Sequence, residues 1–240
     1  MKRFRILTAL LVVVVFSGFV FALAENGSES LTKLLDGNKR FVSGSLAQKD
    51  LGDAKRKELV KGQKPFAIVL TCSDSRVAPE LLFDQGLGEI FVVRVAGNVV
   101  DPITIGSIEY AAEHLNSPLL IVLGHEKCGA VAATLEAKGA PEGNIGAILR
   151  KIRPAANAAK KKGGTKDEIL ETAIKENVKN TSKDIIKKSA IIRHLVHEGK
   201  LKIVAGEYSL QTGNVEMIEL AHAGNKPSAK TCPSHAGQHN

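Results

Sequence analysis

The 240-residue chain contains no tryptophan, two tyrosines and eight phenylalanines. Its core must therefore be built mainly from Ile, Leu, Val and Ala rather than from packed rings. Cysteine is scarce as well. There are three, Cys72, Cys128 and Cys232, and an odd number leaves at least one outside any disulfide. Arginine–aromatic clusters are missing, and the lysines are scattered along the chain or gathered at Lys160-Lys161-Lys162. That distribution reads as a solvated surface and excludes a nucleic-acid patch. No internal repeat and no sign of a second domain is present, and the length suits one α/β domain with a real core.

The one long apolar run is N-terminal. Lys2, Arg3 and Arg5 precede Ile6 to Ala22, and Ala22-Leu23-Ala24 offers a small-x-small cleavage site before the polar Glu25-Asn26-Gly27-Ser28. This is the layout of a bacterial signal peptide. A membrane anchor is the rival reading, since the run approaches the roughly 18 residues needed to span. The expectation is cleavage after Ala24, export, a periplasmic location in a Gram-negative cell, and no stable anchor afterwards. Removing Lys2, Arg3 and Arg5 lowers the formal charge from +8 to +5. Residues 25–221 form the expected domain. Residues 222–240, with Cys232, His222, His235 and His239, read as a disordered tail.

Within the domain, apolar periodicity alternates between helix and strand. Helices are expected over about 29–43, 54–60, 101–115, 129–138 and 144–162, and one long helix from the Thr165-Lys166-Asp167-Glu168 capping box to about Glu198. Strands are expected at 66–71, 89–95, 119–123 and 201–208, with a last one at 215–220 antiparallel to its predecessor. The predicted class is α/β. It has one mostly parallel sheet of about four strands plus an antiparallel edge strand, flanked by helices.

Two of those strands end in chemistry. The first runs into Cys72-Ser73-Asp74-Ser75-Arg76-Val77, the second into Gly124-His125-Glu126-Lys127-Cys128-Gly129. Parallel strands end on one edge of their sheet, so Cys72, His125 and Cys128 are candidates to converge. Two thiolates and an imidazole suit zinc, and three protein ligands leave a catalytic position open. Cys72 and Cys128 could instead pair as a disulfide in an oxidising compartment. The neighbouring Asp, Arg and His favour a metal, because a plain disulfide needs none of them. Asp74 and Arg76 can pair beside the metal, and Asp74 could then accept a hydrogen bond from a zinc-bound water or hydroxide. His114, His194 and His197 fall on predicted helices and read as surface or packing residues.

The two motifs together resemble those of the beta-class carbonic anhydrases. Further stretches are similar to that family: Asp36-Gly37-Asn38-Lys39-Arg40-Phe41, Arg94-Val95-Ala96-Gly97-Asn98, Ser107-Ile108-Glu109-Tyr110-Ala111 and Gly206-Glu207-Tyr208-Ser209-Leu210-Gln211-Thr212-Gly213. The resemblance implies one Zn2+ per subunit on Cys72, His125 and Cys128, with Asp74 and Arg76 as the catalytic dyad. In a closed state Asp74 could become a fourth ligand. It implies reversible hydration of carbon dioxide to bicarbonate and a proton by zinc-bound hydroxide. The substrate pocket it implies is lined by Val77, Gly129, Ala130 and Gln85. It also implies a homodimer or dimer of dimers, with Leu34, Leu35 and Phe41 as candidates to pack on a partner subunit. Two alternatives keep the same residues. One is a hydrolase of carbonyl sulfide or carbon disulfide. The other is a non-catalytic zinc or redox-sensing protein in which Asp74 and Arg76 are dispensable.

Overall fold

Two runs without a single Lys, Arg, Asp or Glu make the centre of the molecule. Ala67–Thr71 (β1) and Leu119–His125 (β3) are buried at every position. They pair in parallel, Ile68 opposite Leu120 through Thr71 opposite Leu123. Strands buried on both faces need continuous apolar sequence rather than alternation, and these have it. The computed structural model describes residues 26–139 and 143–220; the expected signal peptide and C-terminal tail lie outside the described residues.

Ile90–Arg94 (β2) adds to the free side of β1, and Lys202–Tyr208 (β4) adds to β3, both in parallel. Val215–Ile218 (β5) closes the far edge, antiparallel to β4, giving the order β2-β1-β3-β4-β5. This is the expected mixed sheet, four parallel strands and one antiparallel edge strand.

Residue parity decides which helix each side chain meets. Val69, Ile121 and Leu123 face a layer containing Leu34, Val77 and Phe83, supplied by Gly27–Val42 (α1), the turn after β1 and the end of Pro79–Leu82 (α3). Ile68, Leu70, Leu120 and Val122 face Ile108, Val178, Ile185 and Ile192. Those come from Pro102–Glu109 (α4), Lys166–Lys188 (α7) and Ala190–His197 (α8). Asp53–Leu59 (α2), Gly129–Glu136 (α5) and Ile145–Lys162 (α6) complete the helices. α5 and α6 pack with α7 around a third apolar group that includes Cys72, Cys128, Val131, Ile152 and Ile174.

Three expectations need correction. The long helix from residue 165 is two helices. Ser189 takes an extended conformation, its hydroxyl caps α8 at the Ile192 amide and donates to Glu109 of α4. Local capping by a serine competes with helix continuation, and here it wins. The helix after Asp101 changes character at Tyr110–His114, where one π turn forms and Leu115 N–H reaches Tyr110 O. Leu34 is completely buried in the chain's own core and cannot serve a partner; Leu35 and Phe41 are half-buried, and Phe41 packs on the same layer.

One buried charge stands out in the sheet. Glu207 of β4 is 5 % exposed and its Oε1 has no hydrogen-bond partner among the described residues. Burial, reinforced by the neighbouring Glu171, pushes its carboxyl up to about 8, and Lys175 at 3.4 Å only partly offsets this. An acid whose folded-state pKa is raised holds its proton more tightly when folded. The stability it contributes is present below its ordinary value of 4.5 and is lost as pH rises through about 8. We expect the melting temperature to fall between pH 5 and pH 9 in the native chain and Glu207→Gln to flatten that slope, by an amount on the order of a few kcal/mol at pH 9. Thermal melts of both proteins across the pH range check this; parallel slopes would rule it out.

Candidate metal centre

Cys72 is the first residue beyond β1, and His125 is the last residue of β3. Their strand ends are tied directly, Thr71 Oγ1 donating to Leu123 O at 2.9 Å. β3 continues two residues past its expected end because Gly124 and His125 pair with Glu207 and Tyr208 of β4. Gly124 permits this. A Cβ there would lie 2.6 Å from Val178 Cγ2 of α7, so any other residue would push the helix off the strand. After His125 the chain turns through Lys127, which adopts φ 50°, and Cys128 caps the N-terminus of α5.

These three residues come together. One ligand atom from each of Cys72, His125 and Cys128 lies within 4.8 Å of the others, and all three side chains are buried. The two cysteines are free thiols. His125 Nδ1 engages the Glu126 carbonyl at 2.9 Å, which fixes the ring and leaves Nε2 as a buried atom with no partner among the described residues. Such an orphan lone pair is costly unless something fills it. The sulfurs are a coupled pair. Cys72 is pulled down to about 4, chiefly by the Cys128 thiol donating to it, with help from His125 and the Gly97 amide against the opposing burial. Cys128, which keeps that shared proton, is pushed up. A cation in place of the proton would satisfy both sulfurs and Nε2 at once. The donor set therefore fits zinc with one position left open.

Asp74 sits beside this tripod. Its Oδ2 is 3.8 Å from His125 Nε2. Arg76 grips it with three donors, N–H and Nε to Oδ1 at 3.0 and 2.9 Å and Nη2 to Oδ2 at 2.7 Å. That grip holds the Asp74 carboxyl well below the usual carboxylate range. The loop carrying both is clamped from behind. Arg94, at the end of β2, donates from Nε to Cys72 O at 3.1 Å and from Nη2 to Asp74 O at 2.6 Å.

The four expected pocket residues separate. Gly129 is exposed with open space around its Cα, and Ala130 packs on the apolar group that contains Cys72 and Cys128. Val77 closes the turn onto Asp74 O with its amide, but its side chain is wholly buried in the α1-side core. Gln85 is buried against Gly37 of α1 and donates to Phe83 O. His114, His194 and His197 are exposed, on the π turn and α8. A surface groove lined by Lys33, Lys61, Lys64 and Phe66 lies at the opposite ends of β1 and β2, far from this chemistry. Three contributions were not assigned from sequence: the Arg94 clamp, the Gly97 amide, and Glu126, whose carboxylate takes the Ser209 hydroxyl and the Gln211 amide. All lie in stretches whose pattern was recognisable, but their roles depend on contacts across twenty residues or more.

The family model described as carbonic anhydrase matches residues 67–215, more than half of the chain. The chain belongs to the beta-class carbonic anhydrases. It is 41 % identical to a carbonic anhydrase of Mycolicibacterium smegmatis over 187 residues, 77 % of this chain and 89 % of that one. It is 38 % identical to carbonic anhydrase 2 of Mycobacterium tuberculosis over 195 residues, covering 80 % and 92 % respectively. Among solved structures, the beta-carbonic anhydrase of Coccomyxa in complex with acetazolamide superposes with a TM-score of 0.64 at 28 % identity, over 78 % of this chain and 86 % of that one. This carbonic anhydrase is thus an enzyme whose fold matches its family.

If the tripod is the metal site, each member is needed. Cys72→Ser, His125→Ala and Cys128→Ser are expected to reduce bound zinc from about one per chain to a small fraction of that, because two remaining ligands bind far more weakly. Elemental analysis after dialysis against a weak chelator measures it. Full zinc retention in any of the three would remove that residue from the site.

Proposed function

We propose that this enzyme interconverts carbon dioxide and bicarbonate at a zinc ion held by Cys72, His125 and Cys128. The observation that carries the reading is the buried tripod with its unpartnered Nε2, set beside a carboxylate that an arginine keeps ionised. Zinc on three protein ligands lowers the pKa of the water in its open position to roughly 7 and so provides a nucleophile at ordinary pH. The protein's own groups then direct it. Asp74, ionised by Arg76, can only accept a hydrogen bond, so it orients a donor toward itself and away from the approaching substrate. The Arg94 clamp holds the Asp74 backbone, so the carboxylate keeps its place through turnover. Gly129, without a side chain, leaves room for a small apolar substrate beside Cys128.

The same proposal extends to assembly and address. β2 is an edge strand whose Ile90–Val93 are half-exposed, Tyr110 lies beside Phe91, and Ile103 on the adjacent α4 is 81 % exposed. A bare sheet edge with apolar neighbours is a surface that proteins cover, and a second copy of this chain is the proposed cover. The N-terminal segment is proposed to direct export and to be removed after Ala24. No helix of the described residues is long and apolar enough to cross a membrane.

The mechanism predicts that Asp74→Asn binds zinc normally yet hydrates carbon dioxide at least ~100-fold more slowly. Stopped-flow hydration at about pH 8.5, paired with zinc analysis, separates this from a binding protein, for which the substitution would be silent. Native mass spectrometry of the exported protein tests the rest. It is expected to show paired subunits that begin at Glu25 and that separate in Ile103→Asp; single subunits in the native chain would overturn the dimer, and a retained N-terminus the processing.

A further inference from the structure

α7 buries three polar residues, Asn177, Thr181 and Ser182, and the first of them reaches across to another element. Asn177 is 2 % exposed, between Ile174 and Val178 on the helix face that meets the sheet. A buried amide is costly unless it is hydrogen-bonded, and Asn177 Nδ2 donates to the carbonyl of Gly97, eighty residues earlier in the chain, at 2.8 Å. Gly97 occupies the short 3-10 turn Ala96–Asn98 that follows β2. Its own N–H donates to Cys72 Sγ at 3.2 Å. One residue thus receives a hydrogen bond from α7 at its carbonyl and gives one to a ligand sulfur at its amide.

The turn is closed on itself by one backbone bond, Asn98 N–H to Val95 O at 2.8 Å. Gly97 sits at φ 69°, ψ 20°, a conformation that glycine adopts freely and other residues resist. A Cβ would also meet Ile152 Cδ1 at 2.6 Å. The position therefore requires the most flexible residue, and a flexible peptide needs an external restraint to keep its N–H on target. The neighbouring residues of α7 brace the other ligand-bearing strand, since Val178 and Ile174 press on Gly124, just before His125. A single helix face, Ile174-Asn177-Val178, therefore meets both the turn whose amide touches Cys72 and the strand that ends at His125.

We infer that Asn177 is a positioning residue of the metal centre: it holds the Gly97–Asn98 peptide by its carbonyl and so, through the φ and ψ of Gly97, keeps the preceding peptide's N–H on the Cys72 sulfur. This rests on the zinc reading of Cys72, His125 and Cys128 and extends it to a side chain that touches none of them. An N–H donated to a thiolate spreads its charge and fixes its direction, and partners of this kind typically govern metal affinity by roughly 10–100-fold.

The test uses the mature chain and Zn2+ or Co2+ as the probe. Asn177→Leu removes the donor and keeps the volume; Asn177→Asp keeps the shape and turns an acceptor toward the Gly97 carbonyl. Both are expected to lose roughly 10–100-fold in zinc affinity by chelator competition, and to shift the sulfur-to-cobalt charge-transfer band of the Co2+ form. Ser182→Ala supplies the control, because it deletes a buried hydrogen bond on the same helix, to Val178 O, without reaching Gly97. It is expected to lower the melting temperature while leaving affinity and band in place. If Asn177→Leu does not fold, Asn177→Asp carries the test. Native affinity with an unshifted band in a folded Asn177 variant overturns the inference, as does an equal loss in Ser182→Ala. A native chain that holds no zinc would instead overturn the metal reading beneath it.

Discussion

The parallel pairing of β1 with β3 is the contact on which everything else depends. Thr71 and Leu123 are register partners, and the threonine hydroxyl bonds the leucine carbonyl. Cys72 follows the first strand at once, and His125 ends the second, so the register brings two ligand atoms to the same edge without any loop having to search for its place. A slip of one residue would turn each ligand to the opposite face of the sheet. The continuous burial of both strands resists such a slip, because Val69 and Leu70 belong to different packed layers. The third ligand is cheaper. Cys128 comes from a helix N-terminus three residues past His125, and the sharp turn at Lys127 delivers it.

Around that edge, electrostatics is arranged by distance from the tripod. The closest groups, Gly97 N–H and the Glu126 carbonyl, are neutral dipoles that fix orientation without adding net charge. Arg94 reaches backbone oxygens of the loop and so acts as a brace. Arg76 is half-exposed and its charge is paired with Asp74. A cationic group placed inward among the sulfurs would compete with a metal for the same negative charge.

Much of this was legible before any coordinates. The strands carrying Cys72 and His125 announced themselves by length, β-branched content and freedom from charge, and the convergence followed from the rule that parallel strands share an edge. The ligand set and the Asp74–Arg76 pair followed from residue type and spacing. What the sequence hid was of two kinds. Local competition hid the break at Ser189, since the same residues satisfy the periodicity of one long helix, and only the hydrogen bond to Glu109 decides for a cap. Long-range contact hid the roles of Arg94, Gly97 and Asn177, because a buried asparagine in a helix cannot be distinguished from a solvated one until its partner is known. Leu34 illustrates the converse. Its apolar face was evident, but whether it served this core or a neighbour's was a question of what lay opposite.

The 53 positions between Cys72 and His125 also bear on how the enzyme comes into being. Of the proposed tripod, an unfolded chain offers a metal only the local pair His125 and Cys128, a weak chelate. The full site exists only after two strands far apart in sequence have found each other, which is the slow, entropically expensive step in a parallel sheet. On the proposed zinc reading, metal would not template this fold in the way it templates a zinc finger, and would act instead as a latch that closes behind it. Such a latch would weight the native side of the equilibrium by mass action, so stability would then depend on how much zinc the surroundings hold.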